Sequence, residues 1–154
     1  MPRLFSIMAA TALTALSALT PAAAATPERV QVTGEIIDTW CYFSGVMGGP
    51  EAVVGSAHHT CALWCAAGGI PVGLLTDEGE VYMVLKLASD DVVGSNTMLE
   101  LQSDRIVADG LVYERDGLKY LVVEEVVSNE GITNLNHEDY GPVPPFAIPD
   151  PTAQ

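Results

Sequence analysis

The pattern of apolar and polar positions predicts a β-strand over residues 30–38, where valine and isoleucine dominate. Gly34 falls inside this strand, and an internal glycine indicates a bulge or a sharp coil. The next stretch, residues 40–50, is aromatic and rich in glycine, which predicts a loop. A helix is predicted over residues 56–67, with Ser56 as its N-cap and two glycines after its end.

Four further strands follow the predicted helix. Residues 71–76 and 81–87 are expected to form one hairpin across a short acidic turn. Residues 105–114 and 118–127 are expected to form a second, longer hairpin, whose turn contains an aspartate and a glycine. The pattern between the two hairpins is mixed, and it predicts only a helical turn over residues 97–102.

Five strands with a connecting segment between the third and the fourth are typical of an OB-fold. We therefore expect a mainly β, five-stranded OB-fold-like barrel. Gly34 and Gly110 would let the long first and fourth strands coil around such a barrel. The helical segment, residues 39–69, is then an insertion between the first two strands, where a plain barrel has a loop. Another small β-barrel or sandwich with the same hairpins is the alternative.

The first strand and the last hairpin resemble segments of known proteins. Residues 32–38 and residues 108–123 are similar to the corresponding parts of small exported OB-fold-like proteins of uncharacterised function. The resemblance covers most of the expected domain. It implies a fold, and it implies little about activity.

Residues 1–25 have the features of a secretory signal peptide. Arg3 supplies the positive charge of the N-terminal region, and an alanine- and leucine-rich run forms the hydrophobic region. Small residues precede a cleavage point before Thr26. The apolar run is short and interrupted by threonine and serine, which argues against the alternative, a retained membrane anchor. We expect a periplasmic or secreted protein with one domain, residues 26–140, no membrane span, and a proline-rich tail, residues 141–154.

Charge narrows the classes of partner. The 154 residues include 20 acidic and 6 basic side chains, which give a formal net charge of -14. So few lysines and arginines exclude a general nucleic-acid binder, because contacts with phosphate need them. The same shortage argues against a basic membrane-surface anchor. An acidic surface attracts basic proteins. We therefore expect the partner to be a basic periplasmic protein that functions in redox chemistry or metal trafficking.

The residues with the most distinctive chemistry lie in the insertion, which contains all three cysteines and two of the three histidines. On a helix, His58, Cys61 and Cys65 would lie along one face. Cys41, at the end of the first strand, would supply a fourth ligand. A set of three cysteines and one histidine suits tetrahedral zinc or Cu⁺, so copper or zinc is the expected cofactor.

Four neighbours are expected around these ligands. Asp38 precedes the first cysteine, and it either orients a ligating histidine or ends the strand in a turn. His59 would point about a quarter turn away from the ligand face, as an alternative ligand or a surface residue. Trp40 and Trp64 directly precede two of the cysteines. They are expected to pack the insertion on the barrel or to keep the metal centre dry.

The Cys-x-x-x-Cys spacing of Cys61 and Cys65, with His58 nearby, resembles the copper loops of Sco-type copper chaperones and of cytochrome oxidase. In those loops two cysteines at this spacing and a histidine hold copper, so the resemblance implies copper. The histidine precedes the cysteines here, and the surrounding pattern is neither thioredoxin-like nor cupredoxin-like. The absence of Cys-x-x-Cys-His and Cys-x-x-Cys motifs excludes c-type haem and a thioredoxin-type redox motif. No nucleotide-binding fingerprint is present.

A disulfide is the alternative to a metal site. Cys41 paired with Cys61 or Cys65 would close a loop of roughly 20–24 residues and stabilise the fold by about 3–3.5 kcal/mol. One thiol would be left over. The protein would then be a disulfide-clamped OB-fold-like binding module without metal. An enzyme is the least favoured class, because no acid–base pair or nucleophile motif stands out.

Overall fold

The structure is a computed structural model that describes residues 26–87 and 96–140. The expected signal peptide, residues 1–25, and the proline-rich tail, residues 141–154, lie outside the described residues. In the two described ranges, no helix combines the length and the apolar character that crossing a membrane requires.

The barrel closes around β1 (Glu28–Asp38), which pairs with two different strands along its length. Its first part is antiparallel to β4 (Arg105–Arg115), and its last part is antiparallel to β2 (Val72–Leu75). β3 (Val81–Leu87) pairs with β2 and runs parallel to β5 (Leu118–Asn129), which returns to β4. The order β1-β2-β3-β5-β4 forms a closed barrel. The predicted five-stranded OB-fold-like barrel is therefore confirmed.

Two glycines allow the long strands to coil. At Gly34, β1 passes from pairing with β4 to pairing with β2, and a Cβ atom there would overlap the carbonyl group of Leu75. At Gly110 the register between β4 and β5 shifts, and a Cβ atom would overlap the carbonyl oxygen of Val122. Backbone atoms cannot give way as a flexible side chain can, so both positions require glycine.

Alternate residues of the strands fill the barrel. In β4, Ile106 and Ala108 are buried while their sequence neighbours are partly exposed. Leu121 of β5 meets them inside the barrel and is fully buried. α3 (Asn96–Glu100) lies in the connection between β3 and β4, and its Met98 joins the same core. Burial of each large aliphatic side chain stabilises the fold by about 1.5–3 kcal/mol.

The insertion lies between β1 and β2, as predicted, and it is more helical than expected. It consists of α1 (Thr39–Ser44), a 3₁₀ helix (Pro50–Val53) and α2 (Gly55–Ala67). The prediction of a loop over residues 40–50 is wrong for its first half. Asp38 caps the beginning of α1, and Gly45 ends it with a left-handed conformation, φ 63°.

α2 begins without the serine cap that the sequence predicts. No side-chain cap is present at its N-cap position, so the prediction for Ser56 is wrong. Distant segments satisfy the first N–H groups instead. Gly55 donates to Glu35 Oε1 on β1 (2.5 Å), and Ala57 donates to Asn136 Oδ1 beyond β5 (2.9 Å). These hydrogen bonds fix α2 against the barrel.

Candidate metal centre

Asp38 ends β1 and begins α1. Its Oδ1 accepts hydrogen bonds from the backbone N–H groups of Trp40 (2.8 Å) and Cys41 (3.2 Å), which is the ordinary function of an N-cap residue. One tight turn therefore fixes both the Asp38 carboxylate and the Cys41 side chain. Both residues are buried.

Cys61 and Cys65 reach the same place from α2. They are four positions apart, about one helical turn, so their side chains lie on one face. Ala62 and Ala66 are buried on the same helix, and their small side chains let it lie close to the barrel. The two cysteines are only partly buried, so α2 forms the more accessible side of the site.

Asp38, Cys41, Cys61 and Cys65 form one group, here called the Cys3Asp cluster. One carboxylate oxygen and three sulfur atoms all lie within 4.8 Å of one another. Around a tetrahedral zinc ion with Zn–S bonds of about 2.3 Å, the sulfur atoms are about 3.8 Å apart. Movements of about 1 Å or less would bring the four atoms to that separation. The cluster thus has the donor atoms, the number of ligands and nearly the size of a four-coordinate site.

The acidic groups of the cluster affect one another strongly. Burial raises the pKa of the Cys41 thiol to about 12, and the neighbouring Asp38 carboxylate contributes to the rise. For Cys65 the carboxylate is the main cause and burial the second, and its pKa is also raised to about 12. A thiolate at either position would place a second negative charge beside the Asp38 carboxylate.

The pKa of the Asp38 carboxyl shifts in the opposite direction to the pKa values of the two thiols. Burial by itself would raise its pKa, but interactions with the thiols of Cys65 and Cys41 and with the two capping N–H groups outweigh burial, and the pKa is lowered. At neutral pH the metal-free cluster therefore holds the Asp38 carboxylate beside protonated Cys41 and Cys65. A cation that replaces the thiol protons would neutralise this concentration of acidic groups.

His58 lies beside Asp38 and outside the Cys3Asp cluster. Its Nε2 is 3.6 Å from Asp38 Oδ2, which is longer than a hydrogen bond. The two side chains are 3% and 0% exposed, and neither of these two atoms has a hydrogen-bond partner. The structure therefore places Asp38 among the donors, where the sequence predicts His58, and it places His58 next to Asp38.

The other expected neighbours of the site have different surroundings. His59 Nδ1 lies 2.9 Å from the carbonyl oxygen of Gln102, so this ring ties α2 to the segment after α3. Trp40 and Trp64 are 58% and 76% exposed. The expectation that their rings pack the insertion on the barrel is therefore wrong.

All three cysteines are free thiols in the structure. The alternative prediction, a disulfide between Cys41 and a cysteine of α2, therefore receives no support from the geometry. The three sulfur atoms instead face one another together with the Asp38 carboxylate.

Sequence reasoning placed Asp38 near the site and missed it as a donor. The signal was present, because aspartate is among the preferred N-cap residues and Cys41 follows three positions later. In a capped first turn, the side chains of the N-cap residue and of the third helical residue come close together. A helix in place of the predicted loop would have brought Asp38 and Cys41 to one point.

Comparison with known proteins does not assign the chain to a family. No protein-family model matches it, and no curated protein and no solved structure matches it. The resemblances to exported OB-fold-like proteins and to copper loops therefore stay predictions.

Proposed function

We propose that this is an exported metal-binding protein whose Cys3Asp cluster binds one thiolate-preferring ion, with zinc first and Cu⁺ second. The observation that carries the proposal is the convergence of three sulfur atoms and one carboxylate oxygen within 4.8 Å. The burial of the Asp38 carboxylate supports it, because buried charges in proteins are paired or coordinate metal ions.

The donor set favours zinc over copper. Zinc accepts cysteine sulfur and carboxylate oxygen in one tetrahedral site. Cu⁺ prefers soft ligands, and it would use the three thiolates without Asp38. The Cys-x-x-x-Cys resemblance still favours copper, so the experiment must separate the two ions.

The expected biological role is metal handling, or support of an exported oxidoreductase, through a basic partner. The acidic composition supports this expectation, since a surface with an excess of carboxylates attracts cations and basic proteins alike. The leader-like residues 1–25 support export.

The test is elemental analysis and thiol titration of the protein purified from the periplasm of an expression host. We expect one zinc ion per chain, with three titratable thiols after denaturation and removal of the metal. Anaerobic competition between Zn²⁺ and Cu⁺, each buffered by a chelator of known affinity, then ranks the two ions.

Two variants make this test specific. Cys61→Ser removes one donor and is expected to lose the metal, while the matched variant His59→Gln on the same helix is expected to keep it. Two blocked thiols and no stoichiometric metal would overturn the proposal. That result would favour a disulfide-clamped binding module without metal.

A further inference from the structure

The Cys3Asp cluster has a buried half and an accessible half. Asp38 and Cys41 are 2% and 3% exposed, and the backbone around them is held by the cap of α1. Cys61 and Cys65 are only partly buried on α2. A metal bound at this cluster would therefore be fixed from one side by buried residues, while its two other ligands would come from residues that are partly open to solution.

The insertion that carries the accessible half has almost no charge of its own. Among residues 39–69, Glu51 is the only aspartate, glutamate, lysine or arginine, although the whole chain has a net charge of -14. α2 has no acidic residue in its first turn and no basic residue in its last turn. An incoming thiolate is an anion, and an acidic surface would repel it. The insertion offers it an approach without that repulsion.

Exposed aromatic rings precede one cysteine of each half in sequence. Trp64 lies between Cys61 and Cys65 and is 76% exposed, and Trp40 precedes Cys41 and is 58% exposed. A site that served only to hold the fold together would gain from burying such rings over the thiolates. Neither ring is buried here, so neither tryptophan covers the thiolates of the cluster.

We propose that the cluster passes its metal ion to an acceptor that presents a thiolate, by direct ligand exchange at Cys61 or Cys65. This proposal rests on the metal-binding function proposed above. A new metal–sulfur bond to the acceptor forms as the bond to one α2 cysteine breaks. The acceptor thiol loses its proton, the released cysteine gains one, and no electron is transferred. Asp38 and Cys41 hold the ion during the first exchange.

Kinetics of zinc release from the loaded full-length chain test this proposal. Glutathione serves as the incoming thiol, and a chromophoric zinc chelator present at constant concentration reports the zinc that leaves. We expect the release rate to rise in proportion to the glutathione concentration. A release rate that does not depend on glutathione would overturn the proposal, because the ion would then leave before any acceptor binds.

A matched pair of variants tests whether the lack of charge on α2 helps a thiolate to reach Cys61 and Cys65. Trp64→Glu and Trp64→Gln place side chains of the same shape beside the two cysteines, and they differ only in charge. Glutathione carries a net negative charge, so we expect exchange in Trp64→Glu to be roughly twofold slower than in Trp64→Gln at low ionic strength. Equal rates in the pair would contradict the proposed route past α2.

The outcomes separate this inference from the function on which it rests. If the chain binds no zinc during loading, the metal-binding function itself fails. If zinc binds at one ion per chain but leaves at a rate independent of thiol, the metal-binding function stands and the transfer inference fails.

Discussion

Asp38 has two functions that a single substitution can separate. Its Oδ1 caps α1, and its Oδ2 is buried without a hydrogen-bond partner. Asparagine is as good an N-cap as aspartate, whereas alanine costs about 1 kcal/mol at such a position. Asp38→Asn therefore keeps the helix cap and removes the negative charge from the cluster.

We expect Asp38→Asn to weaken zinc binding by at least about tenfold, the lower end of the loss for outer contacts of metal sites. The free energy of unfolding of the metal-free protein should change little. Asp38→Ala is the contrasting variant, because it should lower both the zinc affinity and the unfolding free energy. Competition with a chelator and urea denaturation measure the two quantities. Unchanged zinc affinity in Asp38→Asn would show that the carboxylate is not a ligand.

His58 offers a second test at the level of one side chain. In the structure it lies beside Asp38, so we expect it to orient the carboxylate without binding the metal itself. His58→Gln should reduce metal affinity by about 10–100-fold. Substitution of Co²⁺ for zinc gives the decisive measurement, because the absorption of the cobalt centre reports its ligands. An altered cobalt spectrum in His58→Gln would contradict this role and support His58 as a ligand.

The coiling of β1 is a property of the whole strand that depends on one glycine. Gly34→Ala would push a Cβ atom into the backbone carbonyl group of Leu75 across the β1–β2 pair. We expect the free energy of unfolding to fall by about 1–3 kcal/mol, the usual cost of overpacking. Gly49→Ala is the matched control, because its Cβ would meet only the flexible end of Glu51. It should change stability by less than about 0.5 kcal/mol. Equal effects in a urea titration would contradict the role of Gly34.

The contact between β1 and α2 depends on pH through Glu35. Burial raises the pKa of its carboxyl, although the Gly55 N–H, the Asn134 side chain and the Arg105 charge act in the opposite direction. A pKa that is higher in the folded state means that folding favours the protonated form. The stability that protonation contributes is present below the unfolded-state pKa and is lost as the pH rises through the folded-state pKa.

Glu35→Gln removes this pH dependence, because glutamine stays neutral and can still accept from Gly55. We expect it to raise the free energy of unfolding at about pH 7, and the gain should disappear towards about pH 4. Urea titrations of the metal-free protein over this range measure the difference. Glu78→Gln, in the exposed turn between β2 and β3, is the control and should show no such trend. A gain that is the same at both ends of the range would contradict the role of Glu35.

The strands were predictable because their signals are local, and the insertion was predictable only in part. Alternation, hairpin turns and internal glycines all lie within a few residues of the elements that they specify. Helical spacing likewise placed Cys61 and Cys65 together. The beginning of α2, in contrast, depends on Glu35 and Asn136, which are far away in sequence. A single sequence contains no signal for such contacts. The omission of Asp38 from the predicted donors has a different cause, because its capping position three residues before Cys41 is a local signal.

At the scale of the whole molecule, three basic side chains of the described barrel are already paired with carboxylates. Arg29 contacts Asp109 and Glu124, and Arg105 makes two hydrogen bonds to Asp77 at 2.8 and 2.7 Å. Lys119 contacts Glu80, which directly precedes β3, and its ammonium group lies over the ring of Tyr82. The excess of carboxylates is therefore balanced by solvent cations. Any added salt should stabilise the metal-free fold somewhat, because it screens the repulsion between carboxylates. A measurement of stabilisation by a bound metal must therefore be corrected for this general effect of salt.

Zinc should stabilise the whole molecule, because its proposed ligands come from the end of β1, from α1 and from α2. A ligand that binds only the folded state adds about 2.7 kcal/mol at a free concentration one hundred times its dissociation constant, and about 1.4 kcal/mol for each further factor of ten. Thermal unfolding with zinc, compared with unfolding after removal of metal by a chelator, measures this gain. Mg²⁺ at the same concentration screens charge equally but does not favour thiolates, so it should give a much smaller increase. Equal increases with Zn²⁺ and Mg²⁺ would mean that screening accounts for the effect, whereas a zinc-specific increase that Cys61→Ser abolishes would assign it to the Cys3Asp cluster.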